Sequence, residues 1–320
     1  MGLKTLLVGY LAQDLYETLR HGRRATAKWL DGDVVCHTLD IYHRHALEKA
    51  HHVRAVCAAH LPDGDWDVIR FKTGPKRMSG ELALNLLQEA HILAKKTGAK
   101  LEVEYEGRER DRNLLLDKIR DDPDRVRDFS ARWKTSVPGI EPVEFVSVPG
   151  CFCHRRSDDG GLALAEVVSR ELNTQGAEGT RLLDMGCGCG LVGILVAKAV
   201  PGTSLVMVDS HSRAVEAATL NAKAQGVEAE VILADNGVPA RMNGTFDVFA
   251  GNPPYYSDYR IAEVFLETAA RALRPGGVCY TVCKNAAGLK PVQAKFFKDV
   301  DVVPRRGYSV LRSVKGERPC

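Results

Sequence analysis

The chain has 320 residues, of which 45% are hydrophobic and 27% charged, and its formal net charge at pH 7 is +3. This composition is ordinary for a globular protein that buries a core, and the length favours two domains over one. The small net charge does not by itself indicate a nucleic acid partner, because such binding depends on clustered basic residues rather than on the total charge.

The cysteines and the N-terminal apolar run argue against a zinc protein, a disulfide-linked protein and a membrane-spanning protein. The nine cysteines are spread along the chain without a CxxC pair, which argues against a structural zinc site and against a disulfide framework. We therefore expect no metal and a cytoplasmic location. The apolar run 5–12 is too short to span a membrane and lacks a cleavage site, so we interpret it as a strand and expect no membrane partner.

Residues 1–148 alternate between short apolar runs and longer amphipathic runs. The pattern predicts strands over 5–10, 65–71, 101–105 and 143–148, and helices over 13–24, 79–96 and 110–120. This alternation is typical of an α/β domain with a mostly parallel sheet. None of these strands runs into a glycine-rich turn, so we expect this domain to bind no nucleotide-like cofactor.

The turn at Pro149 and Gly150 is the predicted domain boundary, and a more regular pattern follows it. Strands are predicted over 181–185, 204–209, 229–234, 246–250, 278–283, 300–303 and 309–312, and helices over 161–172, 191–200, 211–225, 259–273 and 289–298. The second domain is therefore predicted to be a doubly wound parallel sheet that closes with an antiparallel hairpin.

A glycine-rich turn follows the first strand of this second domain. Asp184 lies near the strand end, and Gly186, Gly188 and Gly190 then alternate ahead of an apolar helix. Glycines allow a ligand to lie against the backbone, and the helix N-terminus offers N–H groups to an anion. The turn alone does not decide between cofactor classes, because dinucleotide-binding proteins use similar turns.

Polar residues also follow the next two strands, where a doubly wound sheet binds its ligands. The second strand ends at Asp209, whose carboxylate can accept both hydroxyls of a ribose, and Ser210 comes next. The third strand is followed by Asp235 and Asn236, an acid and an amide that can contact an adenine edge. Together with the glycine turn, these positions favour a nucleoside cofactor.

The fourth strand runs into the turn Gly251-Asn252-Pro253-Pro254-Tyr255. Two consecutive prolines remove two backbone donors and fix φ, so this segment is predicted to be a stiff turn. The Asn252 side-chain oxygen and the Pro253 carbonyl can accept the two N–H bonds of an exocyclic amine, while Tyr255 stacks on the base. We interpret Asn252, Pro253, Pro254 and Tyr255 as the catalytic turn.

The run from Asp184 to Gly190 resembles the first motif of the class I S-adenosylmethionine-dependent methyltransferases. By that resemblance Asp184 holds the methionine amino group, the glycine run passes under the methionine, Asp209 binds ribose and Asp235 contacts adenine. The implied cofactor-binding set is Asp184, Gly186, Cys187, Gly188, Gly190, Asp209, Ser210, Asp235, Asn236 and Asn252.

The segment ahead of this motif resembles the ribosomal RNA small-subunit methyltransferase C family. Pro149-Gly150-Cys151-Phe152-Cys153 and Asp158-Asp159-Gly160 are similar to that family's Pro-Gly-x-Phe-Ser and Leu-Asp-x-Gly runs, and Tyr255 replaces its usual Phe. The resemblance implies two tandem Rossmann-like methyltransferase-type domains. By the same resemblance, residues 1–148 are expected to form a degenerate domain without cofactor, and residues 149–320 the catalytic domain with a seven-stranded sheet.

The resemblance implies an N-methyltransferase that acts on an RNA base, with guanine N2 of ribosomal RNA, naked or in the ribosomal subunit, as the first candidate. Adenine-N6 methylation of RNA or DNA and glutamine-N5 methylation of a protein stay open, because the Asn-Pro-Pro-aromatic turn occurs in all three classes. A fourth hypothesis is an RNA-binding assembly factor that has lost catalysis. We expect RNA contacts at Arg155, Arg156, Lys72, Lys76 and Arg77, and the pattern indicates no oligomeric state.

Overall fold

The computed structural model describes residues 3–21, 32–51, 53–121, 123–176, 179–254 and 258–316. It divides the chain into two compact units, Met1–Ser130 and Ala131–Cys320. Within the described residues, no helix is long and apolar enough to cross a membrane.

The first unit is built on a five-stranded parallel sheet. Its elements are β1 (Lys4–Val8), α1 (Ala12–His21), β2 (Asp33–Thr38), α2 (Ile41–His51), β3 (Arg54–Cys57), β4 (Val68–Thr73), α3 (Gly80–Thr97), β5 (Lys100–Tyr105) and α4 (Glu109–Asp121). The strand order is β3-β2-β1-β4-β5. Ser79 caps the start of α3, and Gly98, with φ of 76°, ends it.

One part of the first unit differs from the prediction: the segment that holds β2, α2 and β3 carries no predicted element. The helix predicted over 13–24 is described over Ala12–His21, and residues 22–24 lie outside the described residues.

The second unit contains a two-stranded hairpin and a seven-stranded sheet. Its elements are β6 (Ala131–Thr135), β7 (Val143–Ser147), α5 (Asp159–Gln175), β8 (Arg181–Met185), α6 (Leu191–Ala199), β9 (Ser204–Asp209), α7 (Ser212–Ala224), β10 (Ala229–Leu233), β11 (Phe246–Gly251), α8 (Arg260–Ala272), β12 (Leu273–Cys283), α9 (Ala286–Gln293), β13 (Lys298–Arg305) and β14 (Tyr308–Val314). The order is β10-β9-β8-β11-β12-β14-β13, and β14 is antiparallel to both of its neighbours. The predicted doubly wound sheet with a C-terminal antiparallel hairpin is confirmed.

The two sheets share one plan. In each, the first five strands of the sheet lie in the order third, second, first, fourth, fifth, and the second sheet adds the antiparallel hairpin beyond the fifth. Two tandem domains of one Rossmann-like type are therefore confirmed, and the described residues of the first unit contain no counterpart of the last two strands.

The second unit begins earlier than the turn at Pro149 and Gly150, where we predicted the boundary. The hairpin of β6 and β7 belongs to it, because Phe145 is fully buried in the second unit's core and stacks on Trp133 with ring centres 5.0 Å apart. The Asn221 side chain of α7 also bonds to both the N–H and the C=O of Val146, each at 2.8 Å. Sequence alternation alone does not show which unit a hairpin packs against.

Candidate active site

Three strands of the second sheet end at one edge. The register pairs Met185 of β8 with Val208 of β9 on one side and with Gly251 of β11 on the other. Asp184, Asp209 and Asn252, each at or next to the end of one of these strands, therefore lie at a common edge. This is the edge where parallel doubly wound sheets bind their ligands.

The glycine-rich turn between β8 and α6 is tied to the neighbouring strand. The N–H groups of Gly186 and Cys187 both donate to the Val208 carbonyl, at 2.8 and 3.0 Å. Gly186 has φ of 69°, and a Cβ added there would lie 2.6 Å from the Phe265 ring. Gly188 has φ of 57°, but no atom lies within 4 Å of its Cβ position, so its free side faces open space.

Asp184 is a buried acid below this turn. Its side chain is 2% exposed, and Oδ2 accepts a hydrogen bond of 2.8 Å from the N–H of Gly193. Burial raises the pKa of Asp184 to about 7, and the nearby Asp209 charge acts in the same direction, against the Gly193 hydrogen bond. The carboxyl is therefore poised to favour a ligand that brings a positive charge.

Asp209 is half-buried at the end of β9 and is held by two backbone donors. Gly188 N–H donates to Oδ2 at 2.8 Å and His211 N–H donates to Oδ1 at 2.9 Å. These two bonds orient the Asp209 carboxylate. The side chain is thus fixed beside the glycine turn, where ribose hydroxyls can reach it.

The end of β10 extends the same edge. Leu233 pairs in register with Asp209, and Asp235 and Asn236 follow two and three residues later, half-buried and exposed respectively. The Asn236 carbonyl accepts a hydrogen bond of 3.1 Å from Arg271. Asp235 and Asn236 thus follow the strand that pairs with the end of β9, and their contact with adenine stays a prediction.

Asn252 follows β11 and is held by a residue that the sequence does not mark as part of the site. Its Nδ2 donates to Asp158 Oδ2 at 2.6 Å, and the same oxygen accepts from the N–H of Gly161 at 2.6 Å. Asp158 is also the N-cap of α5. Because Nδ2 is committed to Asp158, the Asn252 side chain offers Oδ1 as its acceptor. Pro253 is buried, Pro254 is half-buried and Tyr255 lies outside the described residues.

A pocket of about 440 Å³, counted out to its open mouth, joins these parts. It lies between the glycine turn, the starts of α5 and α6, and the segment before α5. Its lining includes Asp184, Gly186, Gly188, Asn252, Asp158, Arg156, Trp133 and Phe152. Asp209, Ser210, Asp235 and Asn236 continue along the edge outside this pocket. Phe152 is 69% exposed and so presents an aromatic face at the pocket.

The pocket also contains thiols, which are not nucleophiles in this state. Cys153, Cys187 and Cys189 line it. Burial raises the pKa of Cys189 to about 12, and burial likewise raises the pKa of Cys153 and of Cys187. These thiols are protonated at neutral pH. Among the described residues, no group of three or more His, Cys, Asp or Glu side chains is arranged to hold a metal ion.

Residues 142–312, more than half of the chain, match the family model of the methyltransferase small domain. The chain belongs to this methyltransferase family. Proteins named ribosomal RNA small subunit methyltransferase C are similar to it: the one from Stutzerimonas stutzeri is 32% identical over 59% of this chain and 56% of the relative. The one from Pseudomonas aeruginosa is 35% identical over 47% of this chain and 44% of the relative. The matches thus span about half the length of these curated relatives.

A solved structure shares the fold over almost the whole methyltransferase chain. It is a T. thermophilus 16S rRNA N2 methyltransferase in complex with AdoMet and guanosine, with a TM-score of 0.74 and 18% sequence identity. The match covers 98% of this chain and 88% of that one. Because both units are included, this likeness agrees with the two-domain plan described above.

The first unit of this methyltransferase has a different edge at the same place in its sheet. A Cβ added at Gly9, which follows β1, would lie 2.1 Å from the Lys72 carbonyl, so the backbone at Gly9 has no open space beside it for a ligand. Lys72 is 8% exposed, and its ammonium pairs with Asp14, Glu104 and Glu106 at 3.0, 2.9 and 3.2 Å. The corresponding edge is therefore filled by the protein's own charges.

These ion pairs correct two of the expected RNA contacts. Arg77 donates to both oxygens of Asp14, at 2.5 and 2.8 Å, and to Glu106 at 2.7 Å. The charges of Lys72 and Arg77 are thus neutralised by ion pairs within the first unit. The acidic partners lie in distant parts of the sequence. Neither Lys72 nor Arg77 is available to a phosphate. Lys76 is exposed, and so is Arg155, whose N–H donates to Ser147 Oγ at 3.1 Å.

Proposed function

We propose that this methyltransferase transfers a methyl group from S-adenosylmethionine to N2 of guanine in ribosomal RNA. The observation that carries the proposal is Asn252, fixed by Asp158 with its Oδ1 as acceptor in the pocket that the glycine turn lines. The names of its relatives support the substrate class. The guanosine and AdoMet named with the T. thermophilus structure are consistent with it. An enzyme with this substrate works in the cytoplasm.

S-adenosylmethionine fits the residues at the edge of the second sheet. Gly188 offers open space beside the backbone, and the buried Asp184 suits the amino group of the methionine end. Asp209 is placed to bind the ribose hydroxyls, with Ser210 beside it, and Asp235 and Asn236 to contact the adenine. When bound, the cofactor supplies an electrophilic methyl group on a sulfonium sulfur.

The chain's own residues aim the accepting nitrogen. The lone pair of an exocyclic amine is delocalised into the base, so it must be turned toward the methyl group before it can attack. Asn252 Oδ1 and the Pro253 carbonyl accept the two N–H bonds and hold the nitrogen toward a tetrahedral shape. The cationic product is acidic and loses its proton to solvent or to a neighbouring acceptor, so the site needs no strong base.

The base must leave its stack to enter the pocket. A paired guanine cannot bring N2 to a methyl group inside a protein, so the target is unpaired or flipped out. Tyr255, which follows the two prolines, and the exposed ring of Phe152 are the aromatic side chains that we assign to stacking on it. Arg155 and Lys76 are the exposed cations that we assign to flanking phosphates.

Methyl transfer from labelled S-adenosylmethionine tests the proposal. Separated small ribosomal subunits, naked small-subunit RNA, DNA and a release factor are each incubated with the full chain. Label in the RNA of the first two samples is the expected result. Label in the release factor instead assigns glutamine-N5 methylation, label in DNA assigns adenine methylation, and cofactor binding without transfer assigns an assembly factor.

A further inference from the structure

Arg156 and Trp133 both line the pocket that the glycine turn lines. Arg156 forms no ion pair with any other residue in the described part of the chain. Trp133 Nε1 is buried, and no described residue accepts its hydrogen bond. A buried N–H without a partner is unusual and indicates an acceptor that the protein itself does not supply.

We propose that Arg156 and Trp133 bind the carboxylate at the methionine end of S-adenosylmethionine, an inference that rests on the cofactor assigned under the proposed function. That end of the cofactor is an α-amino acid, with one ammonium and one carboxylate. Asp184 at the bottom of the pocket suits the ammonium. Arg156 is the one cation among the described residues that line the pocket, and guanidinium and indole groups are donors without acceptor capacity.

The position of the Trp133 donor is fixed by packing. Its indole stacks on Phe145 with the ring planes 19° apart, and Phe145 is fully buried. Trp133 lies in β6, outside the residues 142–312 that match the family model. The assignment therefore concerns a side chain that the family model does not cover.

The two neighbouring arginines are not equivalent. Both are exposed, but Arg156 lines the pocket and Arg155 does not. A phosphate of RNA that passes over the pocket mouth could contact either arginine. Trp133, which lines the same pocket and whose indole N–H is buried without an acceptor, favours a small acceptor that enters the pocket. The geometry thus separates Arg156 from the RNA contact that we keep for Arg155.

The test compares two ligands that differ only in the carboxylate. S-adenosylmethionine and decarboxylated S-adenosylmethionine are titrated by calorimetry into the full chain and into Arg156→Ala, Trp133→Phe and, as the matched control, Arg155→Ala. Arg156→Ala should weaken S-adenosylmethionine by about 10- to 100-fold and leave the decarboxylated ligand unchanged. Trp133→Phe, which keeps the stacked ring, should weaken S-adenosylmethionine by about 3- to 10-fold.

Each other outcome decides against the inference in a recognisable way. Equal losses for both ligands in Arg156→Ala, or no loss for either, overturn the carboxylate assignment while the cofactor assignment stands. A loss in Arg155→Ala as large as that in Arg156→Ala overturns the distinction between the two arginines. A wild-type chain that binds neither ligand overturns the proposed cofactor as well.

Discussion

Asp158 holds the side chain of Asn252 although 94 positions of sequence separate them. One oxygen of Asp158 accepts from both Asn252 Nδ2 and the N–H of Gly161, each at 2.6 Å. The start of α5 and the Asn-Pro-Pro turn after β11 are therefore joined at a single carboxylate. In the proposed reaction this link leaves Oδ1 of the Asn252 amide to accept the substrate amine.

Substitution of Asp158 should separate its two roles. Ser at this position still caps a helix but is too short to reach Asn252, whereas Ala does neither. We expect Asp158→Ala to lower the free energy of unfolding by about 1 kcal/mol and Asp158→Ser to change it little. Both should lower turnover by roughly 10- to 100-fold, because the acceptor is no longer aimed. Near-normal turnover of Asp158→Ser, with thermal melting as the folding control, would refute the positioning role.

The raised pKa of Asp184 predicts two opposite pH dependences. Between its unfolded value of 3.8 and its folded value of about 7, the folded protein holds a proton that the unfolded chain releases. The contribution of Asp184 to the free energy of unfolding therefore falls as pH rises through this window and is constant above it. S-adenosylmethionine affinity should instead rise through about pH 7, because the ligand ammonium favours the carboxylate.

Asp184→Asn is the control for both dependences. Urea unfolding at about pH 5 and about pH 8, and calorimetry over the same range, should show flatter pH profiles for the variant than for the wild type. Parallel profiles for the two proteins would mean that Asp184 does not titrate in this window.

The ion pairs at the edge of the first sheet should stabilise that unit. The Asp14 side chain is 6% exposed and receives donors from Lys72 and Arg77. Asp14→Asn removes the buried carboxylate that Lys72 and Arg77 share, leaves them only Glu104 and Glu106, and should lower the free energy of unfolding by about 1–3 kcal/mol. Urea unfolding measures this change in the free energy of unfolding. The control is Glu48→Gln, which breaks the exposed ion pair with Arg44 and should change stability by less than about 0.5 kcal/mol. Equal effects of the two variants would contradict the account.

The same cluster predicts how stability responds to acid. Burial acts to raise the pKa of Asp14, but hydrogen bonds from Arg77, from the N–H of Leu11 and from Lys72 outweigh it and hold the pKa below 3.8. The stabilisation by Asp14 is therefore present above pH 3.8 and is lost as pH falls through the lower folded value. The acid limb of the unfolding curve should be less steep in Asp14→Asn.

Arg155 and Lys76 test the RNA path. Removal of one cation that binds a phosphate should reduce the slope of log affinity against log salt by about one unit, so Arg155→Ala and Lys76→Ala should each give a shallower slope. RNA affinity measured across a salt series shows whether these two cations contact phosphates. Arg44→Ala is the control, because it removes a cation that is paired with Glu48. Slopes equal to that of the wild type would place the RNA elsewhere on the protein.

Local features of the second sheet could be predicted because short runs of neighbouring residues determine them. Apolar strands end at glycines, acids or prolines, and the predicted strands from 181 to 250 agree with β8 to β11 to within a residue at each end. The segment with β2, α2 and β3 could not be predicted, since α2 buries Leu47 but presents no continuous apolar stripe. Its place in the fold depends on the neighbouring strands rather than on its own pattern.

Pairings between distant residues could not be predicted from the sequence. The pairing of Asp158 with Asn252 and the position of Trp133 in the pocket follow from the packing of the second unit. Lys72 and Arg77 resemble RNA-binding cations in the sequence, because their acidic partners lie in other strands and helices. Arg156 shows the limit of an argument from clustered basic residues, since it lines the pocket and the adjacent Arg155 does not.

Nucleoside analysis of methylated RNA tests the central claim most directly. Small ribosomal subunits are incubated with labelled S-adenosylmethionine and either the wild-type chain or Asn252→Ala, and the RNA is digested and separated. We predict that the label appears in N2-methylguanosine with the wild type and is lost with Asn252→Ala, while calorimetry shows that the variant still binds the cofactor. Label in N6-methyladenosine, or in N2-methylguanosine at equal rates for both proteins, would contradict the account.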